Sequence, residues 1–156
     1  MAEEFQSQLE IYYGSSRRGI EASYRILVPK EWRPKEGPME FMIIPWPLDK
    51  EPHDYLLVVP KTRYLASTEA MRKLSLTNEK AGAFKRTIGS SAKEAKFDGY
   101  GRLALSESLL KSAEIGTEAE LVGCVDHFEL WSPAKYEGAK PNHRKTAAEV
   151  QHEFFV

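Results

Sequence analysis

At 156 residues the chain suffices for one compact body or for two half-size units sharing a core, and its ordinary apolar and charged content excludes an intrinsically disordered protein. Lysine and arginine total 22 against 23 aspartates and glutamates, and the net charge of −1 excludes a protein that coats nucleic acid unselectively. The longest aliphatic runs, Met42-Ile43-Ile44 and Leu56-Leu57-Val58-Val59, fall far short of a membrane span, and a single cysteine, Cys124, excludes an internal disulfide.

In chain order, residues 1–10 read as a polar leader whose acidic start, Met1 to Gln6, has no apolar signal core, so the expected location is the cytosol. Ile11-Tyr12-Tyr13 opens a strand ending at Gly14-Ser15-Ser16, and Arg17 and Arg18 sit before or on the next strand. Glu21-Ala22-Ser23-Tyr24-Arg25 then leads into the apolar Ile26-Leu27-Val28 and a helical turn at Trp32, after which Pro34-Lys35-Glu36-Gly37-Pro38 breaks the chain. Met39 to Ile44 and Tyr55 to Val59 read as a hairpin, joined by an exposed loop, Pro45 to Asp54, that carries three prolines.

Two helices follow: Ala66 to Leu74, capped by Ser67 or Thr68, and a second that Thr77 caps and Gly89-Ser90-Ser91 stops. Ala95-Lys96-Phe97 is a strand, Asp98 to Arg102 a turn, Leu103-Ala104-Leu105 a strand and Ser106 to Ala113 a helix. A last hairpin pairs Glu120 to Cys124 with Phe128 to Trp131 around Val125-Asp126-His127, and residues 137–156 form a polar, partly ordered tail, helical at most over Thr146 to Phe155.

This order contains a repeat. Phe97-Asp98-Gly99-Tyr100-Gly101-Arg102 and Ile20-Glu21-Ala22-Ser23-Tyr24-Arg25 share one pattern: apolar residue, acid, three residues, arginine, followed by an apolar run. Leu57 to Tyr64 and Leu130 to Tyr136 likewise share an apolar run, a proline, a basic residue and a tyrosine. Each motif reads as a sharp turn clamped by its own ion pair, Glu21 with Arg25 and Asp98 with Arg102. The later acid caps the turn's N–H groups, and Gly99 and Gly101 are free to take positive φ.

Charge is concentrated at both motifs. Arg17, Arg18, Arg25, Lys30, Arg33 and Lys35 stand against Glu21 and Glu31, and Lys85, Arg86, Lys93, Lys96 and Arg102 against Glu94 and Asp98. A solvated face accounts for such clusters as readily as a binding surface does.

The later half resembles a known family. Asp98-Gly99-Tyr100-Gly101-Arg102-Leu103-Ala104-Leu105, Glu120-Leu121-Val122-Gly123 and Phe128-Glu129-Leu130-Trp131 are similar to the second half of the bacterial MraZ proteins, transcriptional regulators of the division and cell-wall gene cluster. The likeness extends back through Leu76-Thr77-Asn78-Glu79 and Gly89-Ser90-Ser91-Ala92 and covers most of residues 11–136. It implies a mainly β fold with α (α+β): two tandem SpoVT/AbrB-like swapped-hairpin units, 11–64 and 87–136, forming a pseudo-symmetric β-barrel with peripheral helices. Linking helices over 65–86 and a C-terminal tail, 137–156, complete the organisation.

The resemblance further implies a ring-shaped homo-oligomer, octameric or dodecameric, that binds direct repeats in promoter DNA, associated with the nucleoid and without membrane contact. On this reading the DNA-binding candidates are Arg17, Arg18, Ser23, Tyr24 and Arg25, and Glu21, Arg25, Asp98 and Arg102 are the turn clamps. An arginine at such a site is able to grip phosphate or a guanine edge through two N–H groups. The first motif departs from the family pattern of aspartate, lysine, glycine and arginine. Its acid is the longer Glu21, the lysine is missing, and Tyr24 stands where a glycine is expected, so a left-handed Tyr24 carries about 1–2 kcal/mol of strain or the turn is reshaped. That departure supports a rival reading, a structural or protein-interaction ring that no longer reads an operator.

No catalytic residues are expected, since the histidines and Ser90-Ser91 form no nucleophile, base and orienter set. No cofactor is expected either. Cys124 reads as a buried structural thiol, and although Cys124 and His127 have a Cys-x-x-His spacing, no second ligand pair stands nearby in sequence and no metal site is expected.

Overall fold

The computed structural model describes residues 11–33, 40–75 and 77–155. The leader over residues 1–10, the Pro34 to Pro38 break and the strand start at Met39 lie outside the described residues. The first strand, β1, is Ser15–Gly19, so Arg17 and Arg18 stand on it. The earlier Tyr12 bridges to Val125 apart from β1, because Gly14 at φ 90° turns the chain between them. A 3-10 turn, Ala22–Tyr24, leads into β2, Arg25–Leu27, and a second, Lys30–Trp32, buries Trp32.

Strands β3, Glu40–Trp46, and β4, Tyr55–Pro60, form the expected hairpin. In β4 the alternation is strict: Leu56, Val58 and Pro60 are buried and the residues between them are partly exposed. The loop between them is less free than expected. Pro45 and Trp46 belong to β3, the His53 N–H donates to the Ser112 carbonyl (2.8 Å), and Lys135 donates to the His53 carbonyl (2.9 Å). Exposure is confined to residues 49–52.

The first helix, α1, spans Lys61–Arg72, five residues earlier than expected. Pro60 delivers the chain into it, and Ser67 and Thr68, expected as caps, donate back to the carbonyls of Arg63 and Leu65 within the helix. The next helix, α2, is Glu79–Ser91, and its cap is Asn78, whose side chain accepts from the Ala81 N–H at 3.1 Å, rather than Thr77. Gly89-Ser90-Ser91, expected to stop the helix, completes its last turn, with Ser90 and Ser91 donating to carbonyls one turn back.

The second half follows with β5, Lys93–Lys96, β6, Arg102–Ala104, and the short α3, Glu107–Ser112, capped by Ser106. Strands β7, Glu118–Gly123, and β8, Phe128–Trp131, form the last hairpin. The final correction is the tail: Pro133–Phe154 is one continuous helix, α4, with Pro133 in its first turn and Pro141 inside it. Its start docks through Tyr136 and His143, whose rings lie 5.6 and 5.7 Å from Trp131.

The sheet order explains how the halves combine. Six strands run β1-β7-β8-β4-β3-β5, all antiparallel neighbours, and β2 pairs with β6 in a separate ribbon. Exchanging each first-half strand with its second-half counterpart (β1 with β5, β2 with β6, β3 with β7, β4 with β8) leaves this order unchanged. The first strand of each half therefore adds to the hairpin of the other half, and the two motif strands pair with one another. Among the described residues the expected closed barrel is not formed: the ladder ends at β1 and β5, which reach the β2–β6 ribbon through single bridges, Glu21 to Arg25 and Phe97 to Leu103. Among the described residues the fold is thus an open, mainly β sheet with a ribbon and four helices.

The core between sheet and ribbon is aromatic at its centre. Tyr12, Trp32, Phe41 and Phe128 are almost wholly buried, and Ile26, Ile43, Leu56, Leu103, Leu121 and Leu130 surround them. No helix among the described residues is long and apolar enough to cross a membrane.

Candidate functional site

The antiparallel β2–β6 register sets Arg25 opposite Ala104 and Leu27 opposite Arg102, so each motif turn lies beside the end of the other motif's strand, one at either end of the short ribbon. Their acids and arginines are exchanged between motifs. Arg25 donates to Asp98 at 3.1 Å, and Arg102 donates through two nitrogens to Glu21 at 2.7 and 3.2 Å. This corrects the expected pairing within each motif: the clamp joins the halves instead of closing each turn on itself. Asp98 caps its own turn as well, its Oδ1 accepting from the Tyr100 and Arg102 N–H groups at 2.8 and 3.0 Å. Those backbone donors, the Arg102 one foremost, hold the Asp98 carboxyl below the usual range, and the Glu21 carboxylate pushes the Arg102 guanidinium up.

The first motif adopts the left-handed conformation that its sequence resists. Tyr24 is at φ 59° and Ser23 at φ 62°, whereas the second motif turns on Gly101 at φ 80°. The strain at Tyr24, about 1–2 kcal/mol for a residue with a Cβ, is opposed by local bonds. The Tyr24 carbonyl accepts from the Leu105 N–H at 3.0 Å, and the Glu107 carboxylate raises the pKa of its phenol.

The remaining candidates are dispersed. Arg17 and Arg18 are neighbours on one strand and so project to opposite faces. Arg17 bonds Glu120 at 3.1 Å and approaches Glu137 of α4 at 3.8 Å, which makes it a tether for that helix. Arg18 donates to the Ser16 hydroxyl, at 2.8 Å. Together with Lys30 and Arg33 it has no carboxylate partner among the described residues. The structure adds Arg33 to the candidates: its Nε donates to the Val28 carbonyl at 2.9 Å, and its guanidinium lies against Gly101, where an added Cβ would clash with it. Its place among the first group of basic residues was the available signal, but its contact with the second motif was not visible in sequence.

Double-mutant cycles by denaturant titration should separate the two clamp arrangements. Glu21→Ala with Arg102→Ala, and Asp98→Ala with Arg25→Ala, are expected to show favourable coupling, and Glu21→Ala with Arg25→Ala little. Equal coupling within and between motifs would contradict the exchanged clamp.

Fold and site together define a class: duplicated sheet proteins whose halves trade strands and present paired, cross-clamped turns at the ribbon. A family model described as "MraZ protein, putative antitoxin-like" matches residues 88–152. "Transcriptional regulator MraZ" of Clostridium tetani is 31% identical over 127 residues, 81% of this chain and 85% of that protein. The protein of the same name in Finegoldia magna is 32% identical over 118 residues, 76% of this chain and 78% of that protein, and that of Clostridium acetobutylicum 29% over 126 residues, 81% and 84%. The chain belongs to the MraZ family.

Proposed function

We propose that this protein is a DNA-binding transcription regulator and not an enzyme, and that its contact surface is the pair of motif turns with the basic residues flanking them. The observation that carries this reading is that Arg18, Lys30 and Arg33 have no carboxylate partner among the described residues and that Ser23, Tyr24 and Arg25 are exposed. Phosphate contacts need mobile or exposed cations, and Arg25, 46% exposed, reaches a phosphate by exchanging it for Asp98. Arg17 completes the candidate set, acting through α4 as well as through its charge.

The family membership supports the finer reading. The protein is a repressor at the promoter of the division and cell-wall cluster, binding direct repeats as an octameric or dodecameric ring in the cytoplasm, with the nucleoid. Its two units, 11–64 and 87–136, are swapped-hairpin domains of the SpoVT/AbrB type, joined by 65–86 and followed by 137–156. The strand exchange between halves supports that assignment. A ring multiplies one modest basic patch into avidity on repeated sites, which suits a chain of net charge −1.

One observation favours a second reading. Both motif arginines are engaged by carboxylates and Tyr24 replaces the turn glycine, as expected of a ring that has given up operator recognition for a protein partner.

Fluorescence anisotropy against DNA from upstream of the protein's own gene, with shuffled DNA as control and at two salt concentrations, decides between them. Sequence-selective binding that weakens as salt rises is expected. Arg18→Ala and Lys30→Ala should each lower affinity and reduce the salt slope by about 1 without changing the oligomer. Equal or absent binding to both DNAs by folded protein would overturn the regulator reading.

A further inference from the structure

The turn between β7 and β8 gathers three metal-ligating side chains that the paired motif turns do not use. The ligand atoms of Cys124, His127 and Glu129 all lie within 4.8 Å of one another. Sequence spacing offers Cys124 and His127, and strand alternation supplies the third ligand, because residues 127 and 129 share a face of the chain entering β8. The His127 side chain is 24% exposed and that of Glu129 14%, and Cys124 is half-buried instead of fully enclosed.

Two of the ligands are held from behind. His127 Nδ1 donates to Asp126 Oδ1 at 2.7 Å, which leaves Nε2 facing Glu129 Oε2 at 3.5 Å. Trp131 Nε1 donates to Glu129 Oε1 at 2.8 Å, which leaves Oε2 facing inward. Trp131 is itself fixed by stacking on Tyr55, with ring centroids 4.5 Å apart. A carboxylate on the outer nitrogen of a histidine and a donor on the outer oxygen of a carboxylate are the supports that orient metal ligands, and the first also raises the basicity of the imidazole. Two electron-rich atoms facing each other across a half-buried gap need a cation between them. In the metal-free protein a proton on Nε2 fills that gap.

We propose that Cys124, His127 and Glu129 form a site for a divalent transition metal, with zinc the best fit. A thiolate, an imidazole and a carboxylate suit zinc, and three protein ligands leave its fourth tetrahedral position for water or for a donor from another molecule. Zinc bonds of about 2.0–2.3 Å place tetrahedral ligand atoms about 3.5 Å apart, so the triad closes by side-chain rotation. Binding replaces the S–H bond by an S–Zn bond, and the thiol proton and the second imidazole proton pass to solvent. The site lies away from the motif turns, at the end of the hairpin where Arg63 of α1 pairs with Asp126, and a bound metal would fasten the turn to the strand behind it.

Titration of metal-free, full-length protein with Co2+, followed by absorbance and then by competition with Zn2+, tests this. One equivalent is expected to bind with tetrahedral visible bands and a near-ultraviolet thiolate-to-cobalt band, and Zn2+ should displace it. Cys124→Ser should abolish the near-ultraviolet band. Glu129→Gln, which keeps an acceptor for Trp131, should weaken binding at least about 10-fold, and Asp126→Ala about 10–100-fold. Melting curves of the metal-free variants establish that each is folded. Absence of the cobalt bands in folded wild type, an unchanged band in Cys124→Ser, or unaltered affinity in Glu129→Gln would each overturn the assignment.

Discussion

Phe128→Ala is expected to lower the unfolding free energy by about 3–5 kcal/mol, a large part of the 5–15 kcal/mol typical of a whole domain. Phe128 is 0% exposed, and its ring centroid lies 5.4 Å from Tyr12, 5.1 Å from Trp32 and 5.6 Å from Phe41. These rings come from the segment before β1, the second 3-10 turn and β3, so one side chain joins three parts of the first half to a strand of the second. Truncation removes its transfer energy and leaves a cavity walled by large rings that cannot collapse into it. Phe154→Ala provides the control, because that ring is 73% exposed at the end of α4 and its loss should change stability by no more than about 0.5 kcal/mol. Denaturant midpoints read both, and a loss below about 1 kcal/mol for Phe128→Ala would show that the aromatic cluster does not join the halves.

The hairpins, the motif turns and the helix at Ser106 were legible because their signals are local. The apolar run Tyr55 to Val59 marked β4, a serine followed by an acid marked the start of α3, and the acid, three residues and arginine marked the repeat. The ion pairs were not legible, since Glu21 and Arg25 in sequence look as well matched as Glu21 and Arg102, which are 81 residues apart. Only the exchange of first strands between halves brings the second pair together, and that exchange is a property of topology. The open sheet was hidden for the same reason: whether the ladder runs past β1 and β5 depends on which strands meet across the duplication.

Helix α4 was missed because the usual cues point the other way. Pro141 lies within it, every described residue from 141 onward is exposed, and no apolar stripe marks a buried face. What holds it is docking at its start, through Tyr136, His143 and the Arg17–Glu137 contact, and the helix propensity of Ala147, Ala148, Glu149 and Gln151 beyond. Glu129 escaped as a metal ligand for a related reason: spacing rules find pairs such as Cys124 and His127, whereas a third ligand on the following strand depends on the turn geometry that folds it back.

Gly123→Ala is expected to cost about 2–4 kcal/mol, although it adds one methyl group. An added Cβ would lie 2.6 Å from the Tyr12 oxygen, 2.8 Å from its carbonyl carbon and 2.9 Å from the Tyr13 nitrogen. All three are backbone atoms, so no rotamer change relieves the clash. That segment is also fixed: Tyr12 and Val125 exchange hydrogen bonds of 2.8 and 3.0 Å, the Gly123 N–H donates to the Gly14 carbonyl at 2.8 Å, and the Tyr13 carbonyl accepts from Trp32 Nε1 at 3.0 Å. Pushing it outward breaks some of these bonds and draws Tyr12, 1% exposed, away from Phe128 and Phe41. Gly89→Ala should act in the opposite direction. Its added Cβ meets nothing within 4 Å on α2, and replacing a helical glycine is expected to gain about 0.4–1 kcal/mol. Denaturation of the two variants side by side tests the argument: equal small effects would mean that the segment before β1 yields freely, and that Tyr12 reaches the core without the backbone lock that the clash at Gly123 exposes.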